Sequence, residues 1–175
     1  MTTTKPCSNV VRHPDLVNRV FGTEAPNRLW VTNLTLVPTG QGVVYVCFII
    51  DVFDRVIVGW RGALNMKIKT VLDVIEMVAW SRGKKLPELR CHSDAGAQLT
   101  SIRYGECRAK IGATPSIGSL GDSFDNVLAE SVNGYDKVEL VRRPVQTGPK
   151  RTIDDLELAT LGWVRWQSTK LALRN

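Results

Sequence analysis

The chain has 175 residues and a mass of 19.4 kDa, enough for one sizeable domain and short for two. It is 43% hydrophobic and 23% charged, the composition of a soluble globular protein, which excludes disorder as the main state. Lys and Arg number 23 against 17 Asp and Glu, so the net charge is +6 and the pI near 9.4, a balance suited to polyanionic partners. The four cysteines, Cys7, Cys47, Cys91 and Cys107, include no Cys-x-x-Cys pair and accompany no histidine cluster. A disulfide framework and a structural zinc site therefore lack support, and a reducing cytoplasm is expected. The longest apolar run, Val43 to Ile50, is well short of a membrane span, and the N-terminal MTTTKPCSN lacks the charged-then-apolar pattern of a secretory signal.

Residues 1–27 are polar, carry Pro6, Pro14, Gly22 and Pro26, and show no sustained periodicity, so a partly ordered arm is predicted. Leu29 to Val37 is rich in β-formers and ends at Pro38, a strand signal. Thr39 to Gly42 reads as a turn, and Val43 to Ile50 as a fully buried strand in which Cys47 is a small core residue. A second turn over Asp51 to Arg55 leads to Val56–Trp60, completing an antiparallel meander. Ile68, Val71, Leu72, Ile75, Val78 and Ala79 recur at helical spacing, predicting a helix that ends near Gly83. Pro87 to His92 then reads as a short strand leading into Ser93-Asp94, Ser101 to Lys110 as a helix, and Ala113 to Ile117 as a fifth strand.

Asp122 or Ser123 suits the N-cap of a long helix from Phe124 to about Val141, with Phe124, Val127, Leu128, Tyr135 and Val138 on its apolar face. Arg142 to Arg151 holds four bases (Arg142, Arg143, Lys150 and Arg151), two prolines and no acid. Thr152-Ile153-Asp154-Asp155 resembles a capping motif that opens a last helix carrying Trp163 and Trp166. Trp30, Trp60 and Trp80 read as core or core-edge residues. The expected division is an arm over 1–27, a core over 28–141, and a basic loop with a C-terminal helix over 142–175.

Three meandering strands followed by alternating helices and strands is the order a ribonuclease-H-like α/β fold requires: a five-stranded mixed sheet flanked by helices. On that fold, acidic side chains from two strand ends and one helix converge on metal ions. Asp94 follows a short strand and Glu130 lies in the first half of the long helix, with 35 residues between them.

The sequence resembles the DDE transposases of bacterial insertion sequences whose catalytic core is of the retroviral-integrase type. The resemblance is carried by Asn27-Arg28-Leu29-Trp30-Val31-Thr32, Ile50-Asp51-Val52-Phe53, Ile57-Val58-Gly59-Trp60-Arg61, His92-Ser93-Asp94 with Thr100-Ser101, and Pro115-Ser116-Ile117-Gly118-Ser119. Gly121-Asp122-Ser123-Phe124-Asp125-Asn126, Ala129-Glu130 and Asn133-Gly134 continue it, so that it spans roughly Asn27 to Trp166. The resemblance implies phosphoryl transfer between DNA ends with two Mg²⁺ or Mn²⁺ ions, for which hard oxygen ligands are suited. It implies that Asp94 and Glu130 are catalytic metal ligands and that the family's first aspartate is replaced here by Asn33, a neutral near-isostere.

That replacement predicts an inactive or severely impaired copy, through engineering or through decay of the element. Other departures favour decay: Ala95-Gly96-Ala97-Gln98-Leu99 stands where the family usually has Arg-Gly-Ser-Gln-Tyr. Likewise Arg165-Trp166-Gln167-Ser168-Thr169-Lys170 follows Trp163-Val164, where the family usually has Asp-Trp-Phe-Asn-His-Arg-Arg. Asn126, Glu130, Asn133 and Lys137 fall on one helical stripe, read as facing DNA, with Arg142, Arg143, Lys150 and Arg151 as further phosphate contacts. Without the resemblance, Asn33 would be a polar residue on an edge strand, Asp94 a turn or helix-cap aspartate and Glu130 a solvated helix residue.

Asp51 is read as stabilising its turn in preference to binding metal, rescue of the site by Asp54 is disfavoured, and His92 is read as packing at a strand end. The expected partners are DNA, both element ends and target, and further copies of the chain. A separate or upstream helix-turn-helix module is expected to choose the ends. The expected location is the bacterial cytoplasm, on the nucleoid when DNA-bound. A catalytically dead remnant that keeps the fold and binds DNA non-specifically, or only self-associates, is the alternative. A ribonuclease-type nuclease on the same fold is disfavoured.

Overall fold

The computed structural model describes residues 14, 16–17, 22–65, 68–83, 85–93, 109, 111–117 and 152–173. The three β-rich runs form the meander: β1 (Leu29–Thr39), β2 (Gly42–Asp51) and β3 (Ile57–Ala63), with β1–β2 and β2–β3 both antiparallel. Helix α1 (Ile68–Ser81) follows, then β4 (Arg90–Ser93) and β5 (Thr114–Ile117), and lastly helix α2 (Ile153–Ala172). The sheet has five strands in the order β3-β2-β1-β4-β5, with β4 parallel to both β1 and β5. This is the mixed sheet expected from the sequence. The predicted helices over 101–110 and 124–141 lie outside the described residues, apart from Ala109.

Strand alternation divides the core into two layers. Leu29, Val31 and Val37 of β1 and Val44, Val46, Phe48 and Ile50 of β2 pack with Leu156, Ala159 and Trp163 of α2. Trp30, Cys47 and Ile49 face the opposite way, onto Val71, Val74, Ile75 and Val78 of α1. Because both faces of β2 are covered, its sequence is continuously apolar where a one-sided strand would alternate. Phe48 and Trp163 meet edge-to-face, with ring centroids 6.2 Å apart at 68°. Burial pushes the Cys47 thiol up to a pKa of about 12.

Two strands outrun their predicted limits by more than one residue. β1 continues through Pro38 to Thr39. Thr39 and Gly42 close the two-residue turn, so Pro38↔Val43 is the next, non-hydrogen-bonded pair, and the N–H that proline lacks would point away from β2. On that side β4 pairs only with Leu29–Thr32. β3 runs on past Trp60 to Ala63, its pairing with β2 continuing to Ala63 opposite Tyr45.

Gly59 brings β3 against α1, since a Cβ there would lie 2.2 Å from Val78 Cγ2 and 3.0 Å from Val74 Cγ1. Trp80 is a correction to the sequence reading. It lies on α1 about 200° round from Val78 and is 69% exposed, whereas Trp30 is fully buried and Trp60 half-buried.

The predicted cap of α2 is present in full. Asp155 N–H donates to Thr152 Oγ1 (3.2 Å) and Thr152 N–H donates to Asp155 Oδ2 (3.1 Å), the reciprocal pair of a capping box. Val17 is buried in the α2-side layer, within the stretch that reads as polar in sequence.

Candidate active site

The parallel pairing of β1 with β4 runs in register from Leu29↔Arg90 to Thr32↔Ser93. It stops one residue before Asn33 on β1 and one residue before Asp94 in the sequence. Asn33 itself pairs with Phe48 of β2, which fixes its backbone in the middle strand of the sheet. Trp30 on one face of the sheet and Val31 and Val37 on the other secure β1 there, so position 33 is held on a rigid element. Thr32 and Ser93, the last registered pair, are both buried, and their hydroxyls have no hydrogen-bond partner among the described residues.

Asp94 and Glu130 lie outside the described residues, as do Asn126, Asn133, Lys137, Arg142, Arg143, Lys150 and Arg151. Asn33 is described in its backbone. Among the described residues no three His, Cys, Asp or Glu side chains come together in a way that could hold a metal ion.

The acids nearest the meander are committed elsewhere. Asp51 is fully buried and its carboxylate accepts from Asn27 N–H (2.8 Å, Oδ2) and Phe53 N–H (3.1 Å, Oδ1). Asn27 has a left-handed backbone, φ 58°, so the Asp51 bond ties down a turn that is itself costly to form. Asp54 Oδ1 accepts from Val56 N–H (3.1 Å) in the turn where Arg55 has φ 61°. Asp51 thus stabilises its turn, as read from the sequence.

His92 is buried on β4 with Nδ1 2.9 Å from Ser116 Oγ of β5, its registered neighbour. Ser116 Oγ also accepts from Leu16 N–H (2.8 Å), and Arg90 Nη1 donates to the Leu16 carbonyl (3.2 Å). These contacts dock the segment around Leu16–Val17 onto β4 and β5. The sequence carries no periodic signal for this contact, because the adjacent pair Leu16-Val17 fits neither a helical nor a strand period.

The central parallel strand pair, the antiparallel meander and the covering helices define a ribonuclease-H-like core of the kind found in integrases. The solved structures that share it include these two. A chain of the simian T-cell lymphotropic virus intasome, in complex with PP2A regulatory subunit B56 gamma, has a TM-score of 0.66 at 13% identity, over 89% of this chain and 52% of that one. The HTLV-2 integrase catalytic core domain in complex with magnesium has a TM-score of 0.58 at 17% identity, over 78% of this chain and 85% of that one. The sequence pattern of the family described as Integrase core domain matches residues 23–123.

A Mycobacterium tuberculosis protein assigned as transposase for insertion sequence element IS986/IS6110 is 47% identical over 159 residues, covering 89% of this chain and 56% of that protein. The transposase for IS629 of Shigella sonnei is 43% identical over 159 residues, covering 91% and 52%. The chain belongs to the integrase core domain family, within the branch of insertion-sequence transposases. It spans about half the length of these curated relatives. Among the described residues, no helix is long and apolar enough to cross a membrane.

Proposed function

We propose that this chain is the catalytic core of an insertion-sequence transposase, of the kind that cuts and joins DNA phosphodiesters with two divalent metals, and that Asn33 impairs its metal site. The observation that carries the reading is the β1–β4 register, which ends one step before both Asn33 and Asp94. One further step of the same register would set positions 33 and 94 side by side on neighbouring strands, about 4.8 Å apart. Glu130 is proposed to reach the same point from the long helix that follows.

The donor set tests the fit to Mg²⁺ or Mn²⁺. Asp94 and Glu130 offer carboxylates suited to hard cations, whereas Asn33 offers at most a neutral amide oxygen. Asp51, both of whose carboxylate oxygens accept backbone N–H groups, is proposed to hold its turn, and rescue of the site by Asp54, whose Oδ1 accepts from Val56 N–H, is disfavoured. When bound, the two ions would activate the attacking oxygen and stabilise the leaving one. The protein's part is to hold the strand ends rigidly and to position DNA. Lys137, Arg142, Arg143, Lys150 and Arg151 are proposed to contact phosphates, with Asn126 and Asn133 beside them.

The reaction would be hydrolytic nicking at element ends followed by transesterification into target DNA, carried out in the bacterial cytoplasm at the nucleoid. Choice of ends is proposed to belong to a separate or upstream helix-turn-helix module, and joining two ends to require more than one copy. The second reading, a dead remnant that only binds DNA, is favoured by Asn33 itself, while the +6 charge suits both. The test is Mn²⁺-dependent cleavage and strand transfer on a pre-nicked DNA end, comparing the chain as it stands with Asn33→Asp. Activity confined to Asn33→Asp supports the first reading with a disabled ligand; silence of both, with DNA binding retained, supports the remnant.

A further inference from the structure

The row of side chains next to the candidate site ends in a buried polar pair. Register sets Ile50 of β2, Val31 of β1, His92 of β4 and Ser116 of β5 in line across four strands. Val31 and Ile50 belong to the α2-side layer, and Cys91, the neighbour of His92, belongs to the other, so this row lies on the α2 side. The next row on that side holds the pair Phe48 and Asn33, and one further step of the β1–β4 register would add position 94. His92 and Ser116 therefore stand one row from the two positions proposed to meet at the metal.

Their hydrogen bonding has a direction. Ser116 Oγ accepts from Leu16 N–H (2.8 Å), which leaves the hydroxyl hydrogen for a second partner. His92 Nδ1, 2.9 Å away, is the acceptor that the described residues offer it. Nδ1 then carries no hydrogen, and the proton of the neutral ring sits on Nε2. The chain of bonds runs from Leu16 N–H through the Ser116 hydroxyl to His92, and its first donor comes from outside the sheet. Arg90 Nη1 holds the Leu16 carbonyl (3.2 Å), and Val17 is 4% exposed within the α2-side layer. Leu16 and Val17 precede residues 23–123, which the family pattern matches.

We propose that Ser116 is a positioning residue for the metal site, and that the docked Leu16–Val17 segment acts as a strap that sets it. The inference rests on the transposase-core reading, because it requires Asp94 to be a ligand. With the strap docked, the Ser116 hydroxyl has one orientation and the His92 ring one tautomer, which ties β4 to β5 at the row before Asp94. With the strap released, the hydroxyl turns freely and the end of β4 loosens. Removing a hydrogen bond that orients a metal ligand weakens metal binding by about 10–100-fold, and Ser116, one row away, is expected to act at the lower end.

The chain has two histidines, His13 and His92, so protein labelled with ¹⁵N-histidine shows two rings, which His13→Gln assigns. At about pH 8, above the ordinary histidine range, His92 is expected as a single Nε2–H tautomer in the chain as it stands. Ser116→Ala is expected to give a tautomer mixture. So is Arg90→Ala with Val17→Ser, which releases the strap without altering His92 or Ser116, the circular dichroism spectrum staying unchanged in both. In the Asn33→Asp chain the same changes are expected to weaken Mn²⁺ binding about tenfold, read from the electron paramagnetic resonance signal of the free ion, while Ser116→Thr keeps the hydroxyl and the affinity.

A His92 ring that strap release leaves unchanged, an Mn²⁺ affinity that Ser116→Ala leaves unchanged, or equal losses in Ser116→Ala and Ser116→Thr would each overturn the inference alone. Failure of Asn33→Asp itself to bind Mn²⁺ would overturn the metal-site reading and this inference with it.

Discussion

Gly59 sets the distance between the edge strand β3 and α1, and replacing it with alanine perturbs that distance by one methyl group. Gly59 has no left-handed backbone angle, so alanine is free to adopt its conformation, and any cost must come from packing. The new Cβ would stand 2.2 Å from Val78 Cγ2, whereas carbon atoms rest at about 3.5–4.0 Å, so the surfaces must part by more than 1 Å. Val78 is buried and β-branched, with few rotamers to retreat into, and Val74 closes the other side at 3.0 Å. The helix itself must move. Overpacking of this kind costs about 1–3 kcal/mol.

Val78→Ala alone removes two buried methyl groups and is expected to cost roughly 2 kcal/mol. The double variant should cost at least about 1 kcal/mol less than the sum, because the added methyl occupies the vacated space. Urea unfolding followed by circular dichroism and tryptophan fluorescence measures all four chains. A Gly59→Ala chain as stable as the parent, or strictly additive costs, would refute the close-approach reasoning.

Asp51→Ala leaves the Asn27 and Phe53 N–H groups without their buried acceptor and is expected to cost roughly 3–5 kcal/mol in urea unfolding, with faster hydrogen exchange at both amides. A loss below about 1 kcal/mol would contradict the turn-holding role. Cys47 should resist thiol reagents until the chain unfolds, since it is buried and its thiol keeps its proton up to about pH 12. The sign follows from the raised value. Below pH 9 both states hold the proton and stability is unaffected; above it the unfolded chain ionises first, so stability should fall by up to about 1.4 kcal/mol per pH unit until about pH 12. Comparing the slope with that of Cys47→Ala isolates the contribution, and identical slopes would count against it.

Strand order and core were legible because they rest on signals that survive without tertiary context. The continuous apolar run of β2, the three- and four-residue spacing of α1, and the Thr152–Asp155 cap all appear in the structure. The errors have physical causes. Pro38 reads as a strand end, but the hairpin register puts its missing N–H on the side away from β2, where β4 does not reach. The third strand reads as ending at Trp60, yet its pairing with β2 continues to Ala63 opposite Tyr45.

Trp80 reads as inward on residue type, while the helical period it shares with Val71, Val74 and Val78 places it outward. Of the site, the turn chemistry of Asp51 and Asp54 follows from sequence position, because turns are short-range features, whereas the His92–Ser116 contact joins two strands and does not. The docking of Leu16 on Ser116 does not, because it joins residues 100 positions apart.

The central claim is that one missing carboxylate on β1 is what disables a transposase core. The most direct measurement is Mn²⁺-dependent strand transfer from a pre-nicked DNA end, with Asn33→Asp beside the chain as it stands and Asn33→Asp/Asp94→Asn as the control. Restoring a charge worth several kcal/mol at the transition state should raise the rate by roughly 10²–10³-fold, and the control should abolish the gain. Equal rates for the parent chain and Asn33→Asp, or a gain that survives Asp94→Asn, would contradict the assignment of these two positions to one metal site.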